Sequence, residues 1–443
     1  MIPESPELIV APAADVVAAN APTPQGRLIG GLVGTNAAGF IALSVPQLLM
    51  LSTHVSAIAG VGDSAAYSLV SLAGGIAAVL ANPFGGRISD RTAARFGRRR
   101  TWILTGGIIG AVLLVAMAFT NQVWEVAVAW AAIEIVLQFQ AAASSALAAD
   151  QVPPAKRGTI SGLIAMIALG APVIGFGVVS VPAIAANPVL QWLVLAVLSL
   201  IGVIVTVVLI IDPQHHPSAD QPRFTLALVL KSYWVSPRRH PAFGWAWFVR
   251  LLVSVAWGAD IYFTPIFQTR FHVSSKAVSG DVFILTLIGI VCVMVTAVVT
   301  GTVSDRIHRQ KPFIMVGGLV LAVGIVILAF APAVEWEYIA AGVMPLGYGT
   351  VLATDFAMCI RVLPNPETFG KDFGVLNIAS TLPGVVVPLI GLTLIPVAGY
   401  VPFFIAMAVI GVVGAIIVIR VPDIGREGNP RWALITRGVT TPD

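Results

Sequence analysis

Glu134 stands inside an apolar run, 123–149, that is otherwise suited to hydrocarbon. Gln138 follows one helical turn later and Ser145 two turns beyond that, so a helix carries all three on one face. A charged carboxylate at membrane depth costs about 2.5–3.5 kcal/mol on insertion scales. A residue kept there at that cost suits proton uptake and release, or contact with a solute; the alternative is a neutral Glu bonding two helices together. Glu134 is therefore the candidate proton-coupling group. Arg250, inside the apolar run 241–268, is the second such group. It cannot lose its proton, so it must face a cavity or a carboxylate, with Glu134 one possible partner, or else snorkel to the nearer surface. Asp260 lies further along the same run, towards its other end, and is expected to be an outer-gate group. Trp247 and Trp257 could stack on the apolar face of a sugar ring, although interfacial anchoring is the commoner role for tryptophan in such a run. Asn36, Gln47, Gln138, Asn377 and Ser380 complete the candidate solute-binding set; singly, each is also the kind of residue that bonds one helix to another.

A second kind of chemistry lies between the apolar runs. Gly86-Arg-Ile-Ser-Asp90-Arg91 is followed by Arg95, Gly97, Arg98, Arg99 and Arg100. A shorter copy, Gly301-Thr-Val-Ser304-Asp305-Arg306, recurs about half the chain later. Asp150 and Arg157 follow one apolar run, and Asp355 and Arg361 follow its counterpart in the second half. Opposite charges at converging helix ends can pair when two lobes close. Asp90, Arg91, Arg98, Asp150, Arg157, Asp305, Arg306, Asp355 and Arg361 are thus the expected cytoplasmic gate. Exposed pairs are worth about 0–1 kcal/mol each, so such a gate must act as a network. Positive charge in these loops also sets topology by itself.

The elements that must position these groups follow from composition. Of 443 residues, 57% are hydrophobic and 10% charged, whereas soluble domains carry about a quarter charged residues. Twelve runs are long enough for a hydrocarbon core of about 30 Å. They fall near 28–51, 64–86, 101–120, 123–149, 158–182 and 189–211, then near 241–268, 279–302, 312–331, 336–360, 371–397 and 399–420. Helices are expected, because lipid leaves backbone groups no other partners. With the N-terminus inside, all Lys and Arg residues except Arg250, Arg270 and Lys276 are cytoplasmic, as the positive-inside rule requires. The organisation expected is a disordered cytoplasmic tail, 1–26, a six-helix lobe, 27–211, a cytoplasmic linker, 212–240, a second lobe, 241–420, and a cytoplasmic tail, 421–443. Residues 1–26 lack the pattern of a signal peptide, and Phe224–Trp234 within the linker could lie on the membrane surface. Pro172 and Pro383 are a further matched pair between two repeats related about the membrane normal. Cys292 and Cys359 offer neither a disulfide framework nor a metal cluster.

The Gly-x-x-Ser-Asp-Arg element with its clustered arginines resembles the signature of the major facilitator superfamily. The long first copy, Asp90 to Arg100, looks most like glycoside/hexuronide and sucrose-type symporters, and Asp150-x6-Arg157 is similar to the acidic-x6-Arg element of sugar porters, with Asp in place of Glu. Pro237–Arg250 resembles the opening of span seven in actinobacterial members of the sucrose-like branch. The resemblance covers 27–420 and implies an all-α membrane protein with twelve transmembrane helices in two lobes. It also implies loop ion pairs that stabilise an outward-facing state. Gly170-Ala-Pro172-Val-Ile-Gly175 partly resembles the span-five motif of drug/proton antiporters but departs at Ala171 and Phe176.

These readings converge on a secondary transporter in the plasma membrane, a functional monomer with both termini cytoplasmic. It is expected to couple H+ to a sugar, glycoside or similar small polar solute, with Na+ as a possible alternative ion and no cofactor, metal or nucleic-acid partner. The rivals are a proton-coupled exporter of drugs or metabolites, and a non-transporting sensor or lipid-handling scaffold. An enzyme is not expected, since no nucleophile–base or metal constellation is present.

Overall fold

The computed structural model describes residues 23–153, 156–213, 240–361 and 369–421. Most of the 1–26 and 421–443 tails and nearly all of the 212–240 linker, with its Phe224–Trp234 segment, lie outside them.

Twelve of the described helices are long and apolar enough to cross a membrane. In the first half they are α1 (Gln25–Ala59), α2 (Ser64–Arg91), α3 (Arg98–Met117), α4 (Val123–Gln151), α5 (Arg157–Val179) and α6 (Pro188–Leu209). In the second half they are α7 (Pro241–Thr269), α8 (Ser275–Ile307), α9 (Lys311–Ala329) and α10 (Val334–Arg361). Next come α11, formed by Phe369–Thr381 and continued by Pro383–Ala398, and α12 (Tyr400–Ile417). The first six pack mainly on one another, through α2 on α4, α1 on α6 and α3 on both α4 and α6. The second six do the same, through α10 on α8 and α9, and α12 on α7 and α9. The lobes meet along α2 with α11 and along α5 with α8.

Lipid tails are as apolar as leucine, so helices in lipid associate by close packing rather than by hydrophobic burial. The α2–α11 contact shows how close that packing is. A Cβ on Gly75 would overlap the backbone of Gly384, so the glycine at 75 lets the lobes touch. Trp130 on α4 and Trp192 on α6 are fully buried and fill the first lobe.

The helices run further than their apolar runs. At 33 residues and 1.5 Å per residue, α8 is about 50 Å long, well beyond the hydrocarbon. Asp305 and Arg306 are consequently helical, as are Asp90, Arg91, Asp150, Asp355 and Arg361. They were expected at or beyond span ends, but intrahelical hydrogen bonding continues through the polar last turns. Below, the end of the bundle that carries Arg91–Arg100 is called the basic end, and the opposite one the far end.

Candidate functional site

The site is built around two helix defects that face each other. Pro46 lacks an N–H, and at that point α1 widens into a π-turn, Pro46–Met50. In the equivalent helix of the other lobe, α7 tightens into a 3₁₀ turn, Gly258–Tyr262. The Tyr67 hydroxyl, from buried α2, lies between the two breaks, 3.0 Å from the Gln47 carbonyl and 2.9 Å from the Ile261 carbonyl. Ser68 and Tyr262 share a 2.6 Å hydroxyl–hydroxyl bond, and the Thr264 hydroxyl donates to the Leu48 carbonyl. Nearer the far end, Gln268 accepts from Ser52 at 3.1 Å and Ser56 at 3.2 Å, and Ser180 donates to the Ser279 carbonyl at 2.7 Å. These bonds, with Gly75 against Gly384, join the lobes across the far half. Asn82, Asn377 and Ser380 are exposed nearer the basic end.

Beneath this junction lies a compartment of about 290 Å³, lined from both lobes by apolar residues and a cluster of polar ones, and called the polar compartment below. Glu134, Gln138, Gln47 and Ser71 line it from the first lobe, and Ser380 and Thr381 from the second. Asn82 donates to the Gln138 side-chain oxygen at 3.2 Å, and the Gln138 side chain also bonds Glu134 one turn earlier on the same helix. The Gln47 amide is 3.5 Å from the Ser71 hydroxyl. Ser380 accepts a 2.8 Å bond from the Arg250 Nε, so its own proton is left to donate elsewhere. The compartment thus combines one carboxyl group with amides and hydroxyls, the inventory needed to bind hydroxyl groups and exchange a proton.

Arg250 has a carboxylate partner, and it is Asp355 rather than Glu134. Arg250 Nη1 lies 2.9 Å from Asp355 Oδ2, with the side chains 15% and 8% exposed. The pair joins α7 to α10 within one lobe, and the Cys359 thiol lies beside it. Asp355 was expected in the cytoplasmic gate. It instead sits more than a turn inside α10, where the buried guanidinium holds it within its own lobe.

Asp260 also departs from expectation. Instead of closing the far end, it lines a second compartment of about 260 Å³ between the lobes, next to the polar one. The cause is the 3₁₀ turn. With three residues per turn, Trp257, Asp260 and Phe263 are stacked in line and all face this space, while Ile261 faces the polar compartment. The far-end closure falls instead to Tyr67, Ser68, Tyr262, Thr264 and Gln268.

Among the remaining solute-binding candidates, Asn36 bonds the Leu32 carbonyl at 2.8 Å and Ser144 at 3.1 Å, a link between α1 and α4. Trp247 donates to the Val375 carbonyl at 2.9 Å, joining α7 to α11. Trp257 stacks on Tyr348, with centroids 4.2 Å apart and planes 11° apart. Asn377 is exposed and does not line either compartment.

At the basic end, Asp150 accepts from Arg98 at 2.9 Å and from Arg99 at 3.0 Å. Arg99 is buried and also donates to Ser89 at 2.9 Å. These bonds join α2, α3 and α4 within the first lobe. Asp305 and Arg306 are exposed at the end of α8. The side chains of Asp90, Arg157 and Arg361 lie outside the described residues. Sequence reasoning missed Asp212, whose Oδ2 accepts from the backbone N–H of Arg99 at 2.7 Å and of Arg100 at 2.9 Å, capping α3. Gly97, at φ +90°, makes room, since a Cβ there would overlap Asp212. Tyr67, Ser71 and Asn82 were missed too; each is a small or neutral polar residue with no local signal of its long-range partner.

A family model described as Major Facilitator Superfamily matches residues 28–367 and 283–441. Among solved structures, a point mutant of the nucleoside transporter NupG superposes with a TM-score of 0.69 at 15% identity, covering 89% of this chain and 99% of that one. The parent NupG structure gives a TM-score of 0.67 at 15% identity, covering 89% and 98%. At that identity the likeness concerns the fold: two lobes of six helices each. With the family match spanning nearly the whole chain, this multi-pass membrane protein belongs to the major facilitator superfamily of transporters.

Proposed function

We propose that the protein is a secondary active transporter that works by alternating access and couples a proton to the movement of a sugar, glycoside or similar small polyhydroxylated solute. The observation that carries this reading is the polar compartment, where Glu134 lies among Gln47, Ser71, Gln138 and Ser380 at the meeting of the lobes. Amides and hydroxyls can match a polyol group for group, and a lone carboxyl among them can exchange a proton. Glu134 is the coupling residue in this reading, and Ser380, oriented by Arg250, binds solute. H+ is the coupling ion, with no cofactor, and the protein acts as a monomer. The basic end faces the cytoplasm of a plasma membrane, with both termini on that side. The far-half contacts then correspond to a state closed to the outside. The Arg98–Asp150–Arg99 cluster is the first-lobe part of an inner latch.

A second reading, proton-coupled export of a drug or metabolite, is favoured by one feature. Pro172, from the segment that partly resembles the antiporter motif, lines the second compartment, which is mostly apolar. Purified protein in sealed vesicles separates the two readings. An imposed proton gradient drives solute in the same direction as the protons if the first is right, and in the opposite direction if the second is. The solutes to test are sugars, glycosides, nucleosides and amphipathic drugs, preselected by thermal stabilisation of the purified protein. Stabilisation by lipophilic drugs alone would remove the sugar assignment.

A further inference from the structure

The second compartment does not match the chemistry of a polyol site. It lies among α1, α5, α7, α8 and α10, and its walls are largely aliphatic and aromatic. Among its lining residues Asp260 alone carries a charge, on a wall shared with Trp257, Phe263 and Phe176. A carboxylate facing an apolar space without a counter-charge is costly to keep ionised. A ligand that brings a positive charge removes that cost, and aromatic faces add an attraction that grows as water is excluded. The Trp257 ring is held rigid by its stack on Tyr348, so little ordering is needed on binding. The 3₁₀ turn sets this arrangement, since it brings the carboxylate into line with two aromatic rings on one helix.

We propose that the Asp260 compartment is a binding site for a small organic monocation with an apolar body, such as an aryl-alkyl ammonium, distinct from the Glu134 compartment. Its volume of about 260 Å³ is enough for a single-ring amine. The two compartments share Ser44 on α1, so an occupant of one is next to an occupant of the other. The proposal does not depend on Glu134 carrying the coupling proton, and failure of that role would leave it standing.

Benzyltrimethylammonium, which is permanently charged, is the probe. Its binding to the full-length protein in detergent is measured by calorimetry and by quenching of tryptophan fluorescence. Tetramethylammonium supplies the charge without the ring, and benzyl alcohol the ring without the charge. Saturable binding of the probe is expected, with both fragments much weaker. Asp260→Asn is expected to weaken it at least about 30-fold, and Glu134→Gln to change it less than about threefold. Asp260→Glu, which keeps the charge, should restore most of the affinity. Three results each overturn the proposal: no saturable binding by the folded protein, Asp260→Asn binding as well as the unmodified protein, or a larger loss in Glu134→Gln. If Asp260→Asn does not fold, the fragments decide on unmodified protein, where benzyl alcohol binding as tightly as the cation refutes the site.

Discussion

Replacing Asp355 with Ala should destabilise the second lobe far more than any exposed gate pair could. Arg250 and Asp355 are 2.9 Å apart, with side chains 15% and 8% exposed. At that burial, removal of one partner leaves the other as an uncompensated charge, a loss of about 3–5 kcal/mol. In Asp355→Ala, Arg250 keeps its 2.8 Å bond to Ser380, which places the expected loss near the lower end, about 3 kcal/mol. The double variant Arg250→Met/Asp355→Leu carries no stranded charge and should recover most of that loss, because well-packed apolar replacements of buried pairs are often neutral. Thermal unfolding in detergent, followed by tryptophan fluorescence, measures the global effect. Cys359, buried and 4.0 Å from Arg250, is a local probe. Its maleimide labelling should accelerate in Asp355→Ala and return towards the original rate in the double variant. If Arg250→Met and Asp355→Leu made singly each cost less than about 1 kcal/mol, or if their costs simply add in the double variant, then the pair is not the buried, coupled unit described here.

Gly75→Val puts side-chain atoms where the Gly384 backbone lies, so the far half cannot close. Maleimide labelling of Ser56→Cys, at the far-end contact with Gln268, should then run at least about tenfold faster than with Gly75 in place. Asp212→Ala removes the acceptor for two backbone N–H groups of α3 and should lower stability by about 1–2 kcal/mol. Arg98→Ala should cost about 1 kcal/mol or less, because its bond to Asp150 is partly exposed and Arg99 keeps Asp150 paired.

The architecture was legible because hydrocarbon imposes it. Twelve apolar runs, matched motifs in each half and one-sided basic loops leave few alternatives to two helical lobes. The polar compartment was partly legible for the same reason. Glu134, Gln138, Gln47 and Ser380 stand out against apolar surroundings, and all four line one space. What was not legible depends on local helix geometry or on distant partners. Asp260 was misplaced because a uniform α-helix was extended through 258–262, where Gly258 gives no warning of a 3₁₀ turn. Glu134 was the only partner named for Arg250, because a charge argument cannot rank carboxylates by distance, and packing selects Asp355. Asp212 looked like linker, since its role exists only once the end of α6 reaches the start of α3. Asn36 and Trp247 show that one sequence signal has two sources. Polar atoms in apolar helices invite a ligand role, yet here they bond neighbouring helices.

The most direct test of the central claim compares unmodified protein with Glu134→Gln in proteoliposomes, using one solute that the unmodified protein both exchanges and accumulates. The variant should retain solute counterflow, because Gln preserves the shape and hydrogen bonding of the compartment. It should lose accumulation driven by an imposed proton gradient, because the amide cannot take up a proton. Gradient-driven accumulation at the unmodified rate and extent in Glu134→Gln would contradict the assignment of Glu134 as the coupling residue.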